Sequence, residues 1–453
     1  GNILQMGDQP HVTLARFARE YGPIFSLRFG SQLVVVGSSK EAAAEILKTQ
    51  DRLLSGRYVP DMVASKSPEL NKLSLVWHVD CSDEWKRLRV LCRAELFSGK
   101  ALESQARLRE EEIIKMTQFI RRMEGKVVKI REAVFAASFN FLGNLLLSRD
   151  MVNLEEESKE GGFSGPLRKC FEAVAAPNVS DMFPSLARFD LQGLKRKNQE
   201  FFRKTFQMWE PIIKEKREKR LRKGEETPQG DFLDTLIETG SSNDQINMIL
   251  LELFSGGTES TSSTTEWLLT ELIKNPKHLK RVQEEITAHI GHDMVKQCHV
   301  SSFTYLEACH KETLRLHPPA PLLVPHRAID ECQVMNYTIP KDTQVLVNAW
   351  AISRDPEYWE DPLVFNPERF VNSSIDLKGN DFELIPFGAG RRICPGVQMI
   401  GKHVPLILAS LVHCFDWSLP EGLVPENLDT SEKYGLTMMK KEPLLLIPKA
   451  KKY

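Results

Sequence analysis

The chain has almost no net charge, no closely spaced cysteine pair, no unbroken apolar run of membrane-spanning length and no nucleotide-binding glycine fingerprint. Each absence excludes something. Sixty Lys and Arg residues offset 61 Asp and Glu, so a general nucleic-acid binder, basic as a whole, is ruled out, and an electrostatic partner must dock on a local patch. The eight cysteines (81, 92, 170, 298, 309, 332, 394 and 414) form no CxxC motif, which excludes a thioredoxin-type site and argues against a zinc ribbon. Scattered in this way they suit a reducing compartment, with most thiols expected to act as small buried hydrophobes. The stretch Val134–Leu147 is broken by Ser138, Asn140, Gly143 and Asn144; it falls short of the roughly 18 residues that span a bilayer and reads as a buried helix. Gly256-Gly257 lies inside a helical pattern and lacks the strand–GxGxxG–helix context, so no flavin or nicotinamide domain is evident and electrons for any redox chemistry must come from outside. Apolar residues at 42% and charged residues at 27% exclude disordered and collagen-like chains.

What is present is mostly helical periodicity. Residues 23–37 carry two β-rich runs around Gly30-Ser31, a hairpin signal. Helical patterns follow over Lys40–Gln50, Ser82–Phe97, Ala101–Met123, about Lys195 to Lys223 (ended by the loop Gly224–Gly230) and Asn243–Lys274, the last stopped by Asn275-Pro276. After Pro318 the texture turns to Pro-rich irregular segments and short strands. There is no internal repeat and no sharp break in composition. The 453 residues therefore read as one large, mainly α domain with a small β portion near the N-terminus.

One cysteine stands apart. In Phe387-Gly-Ala-Gly-Arg-Arg-Ile-Cys-Pro-Gly396, Gly388, Gly390 and Gly396 allow close backbone approach and conformations closed to other residues. A helix starting after Pro395 and running through Val397–Phe415 would point its N-terminus toward Cys394. That dipole, nearby N–H groups, Arg391 and Arg392 are expected to lower the pKa of Cys394, as a thiolate metal ligand requires. The spacing F-x-x-G-x-R-x-C-x-G resembles the haem-binding loop of the cytochrome P-450 superfamily. The resemblance implies a P-450 fold around a buried haem b, with Cys394 as axial iron ligand, Phe387 and Gly396 packed at the ring and Arg392 on a haem propionate. A thiolate axial ligand favours O–O cleavage.

Three further motifs follow the family order. Glu312-Thr-Leu-Arg315 places two opposite charges on one helix face, and Pro367-Glu-Arg-Phe370 supplies Arg369; the resemblance makes Glu312, Arg315 and Arg369 a buried scaffold under the haem loop. Trp85 and Arg89, at i,i+4, can both donate to an anion and match the W-x-x-x-R propionate contact, with His326 either a second such contact or a surface histidine. Gly256-Gly257-Thr-Glu-Ser-Thr261 matches the distal-face stretch, which implies small residues making room for O2 and an acid–alcohol proton relay of Glu259 and Ser260. Serine stands where threonine is usual, which leaves Ser260 and Thr261 as alternatives for the relay hydroxyl.

Segments such as Asp181-Met-Phe-Pro-Ser-Leu and Phe382-Glu-Leu-Ile-Pro-Phe387 resemble plant microsomal members. That implies a missing N-terminal membrane anchor, the cytosolic face of the endoplasmic reticulum, and electrons from NADPH through NADPH-cytochrome P-450 reductase to a monomeric catalytic domain. Leu54–Pro60, Leu73–Trp77 and Leu91–Ser98 resemble the benzylisoquinoline-alkaloid phenol-coupling enzymes, the berbamunine and corytuberine synthase group. The implied reaction is C–C or C–O phenol coupling; a terpenoid or alkaloid hydroxylase and a reductase-independent hydroperoxide isomerase are the alternatives. Implied pocket positions are Leu73–Val76 (Leu75 and Val76 foremost), Leu251, Glu252, Ser255, Gly256, Ala320–Val324 (Leu322, Leu323 and Val324 foremost), Leu436 and Thr437. Glu252 either pairs with a protonated alkaloid amine or caps nearby backbone. Lys86, Arg87, Arg93 and Arg391 form the expected reductase-docking patch.

Overall fold

The computed structural model describes residues 2–63, 74–157, 164–223 and 230–452. Gly1, Leu73 and loop residues 224–229 lie outside the described residues.

Helices dominate. Those that position the site are α1 (Asp83–Cys92), α2 (Ala106–Arg122), α3 (Ile130–Leu147), α4 (Leu194–Lys223), α5 (Asn243–Lys274), α6 (Thr304–Leu316) and α7 (Val397–Cys414). The ends of α5 follow from local chemistry. The Ser242 side chain accepts from the Gln245 backbone N–H, an N-cap worth about 1 kcal/mol; Asn275-Pro276 stops the other end. The basic helix expected over Ser82–Phe97 holds α geometry only to Cys92 and widens into a π turn over Arg93–Phe97. Lys40–Gln50 behaves similarly, with α geometry to Ala44 and a π turn over Glu45–Thr49. The Ala101–Met123 pattern divides at Gln105, whose side chain turns inward to the Leu96 carbonyl and accepts from Arg109.

The larger sheet has strands β1 (Ile24–Phe29), β2 (Gln32–Gly37), β3 (Gly56–Arg57), β4 (His326–Arg327) and β5 (Gln344–Val347), in spatial order β1-β2-β5-β4-β3. β1 and β2 form the expected hairpin, with Phe29 opposite Gln32. β2 runs parallel to β5, and β3 pairs with β4 through Gly56 opposite Arg327. This pairing carries Arg57 and His326 to one edge of the core.

α5 runs through the core against α3, with Phe139 and Phe254 ring centroids 4.7 Å apart. α7 packs behind it through Val404–Val412. By length and mean hydropathy (1.3) α7 could cross a membrane, which corrects the expectation that no segment qualifies; 72% of it lies buried inside the fold, so here it is a core helix. The cysteines also need correction. Cys92, Cys309 and Cys332 are buried, whereas Cys298 is exposed and the other four are half-buried, because only these three fall on core-facing positions.

Candidate active site

Within α5, residues 246–254 and 261–273 are buried, yet Ser255 and Gly257 are half-exposed, Gly256 is exposed and Ser260 is half-exposed. At these four residues the helix therefore has a window onto accessible space. A Cβ on Gly256 would meet nothing within 4 Å, whereas one on Gly257 would come within 2.8 Å of Leu142 on α3. Gly256 therefore faces space and Gly257 faces the neighbouring helix.

The three relay residues separate on this basis. Ser260, one turn after Gly256, opens on the window and donates its hydroxyl to the Gly256 carbonyl at 2.6 Å. Glu259 and Thr261 are wholly buried, and the Thr261 hydroxyl is committed to the Gly257 carbonyl at 2.7 Å. The expectation that Thr261 can substitute is corrected: it sits on the wrong face of the helix.

The Cys394 loop closes through the Cys394 N–H, which donates to the Phe387 carbonyl at 3.0 Å. Gly388 and Gly390 both have positive φ, 68° and 65°, and a Cβ on Gly390 would lie 2.0 Å from the Leu47 carbonyl oxygen. Gly396 has φ −86° and caps α7, so its role is the backbone N–H it offers the Cys394 sulfur rather than unusual geometry. The expected lowering of the Cys394 pKa is reversed. Burial pushes the thiol up and outweighs the Gly396 N–H and the Arg89 charge; deprotonation is left to a coordinated metal, which removes a thiol proton outright.

Around this loop lies a buried positive cluster. Arg392 donates Nε to the Ser55 carbonyl at 2.9 Å and Nη2 to the His78 and Asp80 carbonyls at 2.6 and 2.9 Å. Its Nη1 is buried with no partner among the described residues. Arg89 donates to the Ile393 carbonyl. Arg57, which the sequence reading did not single out, donates Nη1 to the Val324 carbonyl at 2.7 Å and Nε to the Val76 carbonyl at 3.3 Å. None of the three makes an ion pair among the described residues. Burial lowers the pKa of each, and that of Arg57 most, with Arg392 and Arg89 adding repulsion. Unpaired buried cations are costly. A cluster of this kind, with an orphaned N–H, fits the carboxylates of a haem next to the Cys394 sulfur. Among the described residues no group of three His, Cys, Asp or Glu side chains could hold a metal by itself, so an iron at Cys394 would take its other ligands from a macrocycle.

Two expected anion contacts are corrected. The Trp85 indole N–H is committed to the Leu75 carbonyl at 2.9 Å, and the ring instead lies under Arg392, 4.5 Å from the guanidinium carbon. His326 is buried and donates Nδ1 to the Leu54 carbonyl at 2.7 Å. Burial pushes its pKa down to about 3, with Arg57 contributing. The ring is therefore neutral, and its remaining nitrogen accepts rather than donates.

Glu312, Arg315 and Arg369 meet in the core. Arg315 binds Glu312 bidentately at 2.7 and 2.8 Å, and Arg369 Nε reaches the same carboxylate at 3.1 Å. The Asn366 N–H adds a fourth donor, and Arg315 also holds the Ser353 and Pro362 carbonyls.

The pocket positions divide. Val76, Val324 and Leu436 pack together with Trp77, and Leu75 packs with Leu251. Thr437 is buried. Leu322 packs into the N-terminal core with Phe25 and Val36, and Leu323, in a turn at φ 55°, packs on the haem-loop side beside Ala389; both also line one cavity. This cavity, of about 950 Å³, is lined as well by Trp77, Val174, Met182, Leu346 and Leu436. Its charged lining consists of four carboxylates (Asp8, Glu172, Asp181, Glu432) and two lysines (Lys433, Lys441). Glu252 is buried and accepts from Ser74 Oγ and from the Leu75 and Val76 N–H groups at 2.7 and 3.3 Å. Of the two expectations for Glu252, this geometry is the backbone cap.

The docking patch is weaker than its sequence suggests. Lys86 pairs with Asp83 at 2.9 Å and Arg391 with Asp51 at 3.1 Å, leaving Arg87 and Arg93 as its exposed cations without a pair among the described residues.

A model of the cytochrome P450 family matches residues 1–447. The chain is 48% identical to a probable (S)-N-methylcoclaurine 3'-hydroxylase of Coptis japonica, with 100% of this chain and 91% of that protein covered. It is 44% identical to corytuberine synthase of the same plant (97% and 89% covered) and 41% identical to berbamunine synthase of Berberis stolonifera (97% and 88% covered). A zebra fish cytochrome P450 structure with abiraterone superposes with a TM-score of 0.78 over 99% of this chain and 100% of that one, at 24% identity, and so shares the fold.

Proposed function

The chain belongs to the cytochrome P450 family, and we propose that within it the protein oxidises the phenolic ring of a benzylisoquinoline alkaloid, hydroxylation being the first reading. The 48% identity to an N-methylcoclaurine 3'-hydroxylase across the whole chain carries this reading. The 950 Å³ cavity supports it, because its Trp77, Val174, Leu322 and Leu436 walls suit the ring systems.

A haem would be held by Cys394 and by Arg57, Arg89 and Arg392, and would supply activation of O2 with two electrons from a reductase. The residues of the chain supply the surroundings. Gly256 leaves space on the distal side, and Leu75, Val76, Leu251 and Val324 exclude water there. Ser260 Oγ opens on that space and is positioned to hand on its proton, with the Glu259 carboxyl buried one residue behind. Glu312, Arg315 and Arg369 keep the loop's support rigid.

Similarity to corytuberine and berbamunine synthases favours a second reading, C–C or C–O coupling of phenols. One experiment separates them. The full-length protein, reductase and NADPH are incubated with (S)-N-methylcoclaurine and the products are weighed. A gain of one oxygen means hydroxylation, and a loss of two hydrogens means coupling. No turnover of this or any related benzylisoquinoline would overturn both.

A further inference from the structure

Segment 74–77, which brings Trp77 to the cavity wall, is held through its backbone largely by side chains from elsewhere in the fold. Its Leu75 carbonyl accepts from Trp85 and its Val76 carbonyl from Arg57. Its Leu75 and Val76 N–H groups donate to Glu252, and Ser74 Oγ bridges Glu252 to the Trp77 N–H, 2.5 Å away. The Glu252 carboxyl is thus the one ionisable group in direct hydrogen-bond contact with the segment's N–H side. It is 9% exposed and makes no ion pair among the described residues.

We propose that Glu252 is a positioning residue, a proton-linked clasp that holds segment 74–77 down over the pocket when protonated and releases it when ionised. Both forms of the carboxyl fit the contacts. The neutral acid donates its O–H to Ser74 Oγ while the other oxygen accepts from Leu75 and Val76. The ionised form keeps all its acceptors but sits in an apolar wall with Leu75, Leu251 and Phe254 and no cation in contact, so it gains by reaching water.

The neighbouring charges do not reverse this sign. From α1 the titratable neighbour is Cys92, a thiol that burial pushes up to about 12 and which is therefore neutral. From the haem loop Arg392 shares the field of Glu252 without touching it. His78, further along the segment, is held below the usual imidazole range by burial and is neutral above it. α3 faces α5 here with Phe139 and Leu142, and α4 with Trp209, none of them ionisable. Desolvation outweighs the hydrogen bonds and pushes the Glu252 pKa up to about 7. A group whose pKa is higher in the closed pocket than in water binds its proton preferentially there, so the advantage of closure is complete below the ordinary carboxyl value of 4.5 and is lost as pH rises to about 7, above which both states are ionised.

The test is hydrogen–deuterium exchange at the Leu75 and Val76 amides of the haem-loaded protein across this range, corrected for the intrinsic pH dependence of exchange. It needs no substrate, so its outcome is independent of the reaction proposed above. Protection is expected to fall by up to about tenfold per pH unit between about 4.5 and the midpoint near 7, the limit for one proton, and to level off above it. Glu252→Gln, which keeps the shape and cannot ionise, should hold the protection of the acid side at every pH. Ser74→Ala removes a bond that favours the ionised form, so its midpoint should move to higher pH. Flat protection in the wild type, a fall that persists in Glu252→Gln, or an unmoved midpoint in Ser74→Ala would overturn the clasp.

Discussion

Glu312 takes donors from Arg315, Arg369 and the Asn366 backbone, and the remaining Arg315 donor is taken by carbonyl oxygens. Removing the carboxylate strands two guanidinium groups in the core. Glu312→Ala should therefore cost about 3–5 kcal/mol and yield haem-poor protein, read by denaturant midpoint and by haem-to-protein ratio; a fully haem-loaded, equally stable variant would show that the triad is dispensable. The relay gives a second contrast between neighbours. Ser260 opens on the distal window and Thr261 does not. Ser260→Ala should raise the NADPH consumed per product about a hundredfold, the lower end of what a positioned proton donor contributes, while Thr261→Val should leave that ratio near the wild-type value. Equal uncoupling in both variants would mean that facing the cavity does not decide which hydroxyl serves.

At the scale of elements, α5 is a core helix that keeps two residues poorly suited to helices at its centre. Glycine in a helix interior costs about 1 kcal/mol relative to alanine, and only one of the pair is needed for packing: Gly257 lies against Leu142, and Gly256 lies against open space. Gly256→Ala should then stabilise the apoprotein by about 0.5–1 kcal/mol yet raise the KM for a ring substrate several-fold, because the new methyl group occupies the pocket. Thermal unfolding and steady-state kinetics on the same preparation check both halves. α7 supplies an element with a pH dependence. His403 is buried between Ser138 and Phe141, and burial, aided by the Arg109 charge, pushes its pKa down to about 3. A histidine depressed in the fold binds its proton more readily in the unfolded chain, so its stabilising effect is complete above about 6.5 and is lost as pH falls toward 3. His403→Met should move the acid-unfolding midpoint to lower pH, followed by circular dichroism; an unmoved midpoint would place the acid sensitivity in His310 or His326, which are also buried and depressed.

For the whole molecule, a formal charge of −1 says little about partners, because the charges are distributed unevenly. On the Trp85 face the ion pairs of Lys86 and Arg391 leave Arg87 and Arg93 to carry the positive potential. A double Arg87→Glu, Arg93→Glu variant should slow the first reduction by a flavoprotein reductase and flatten its dependence on salt, since steering between opposite patches fades as the Debye length shortens below about 10 Å. Stopped-flow reduction at low and high salt measures it, and unchanged kinetics would move the docking site elsewhere.

The cysteine loop, the bounds of α5 to the residue, the β1–β2 hairpin and the partners of Glu312 were legible from the residues alone, because each rests on spacing within a few residues or on a motif whose members are chemically forced together. Tertiary structure alone decided the rest. Arg57 reaches a carbonyl 267 residues away, and Glu252 meets a serine 178 residues away; a lone arginine after a glycine and a lone glutamate in a helix carry no periodic signal that could have announced either contact. The choice between Ser260 and Thr261 needed the position of the cavity. The direction of the Cys394 pKa needed a balance that local charges cannot give, since dipoles and arginines are visible in sequence whereas desolvation depends on everything packed around the sulfur.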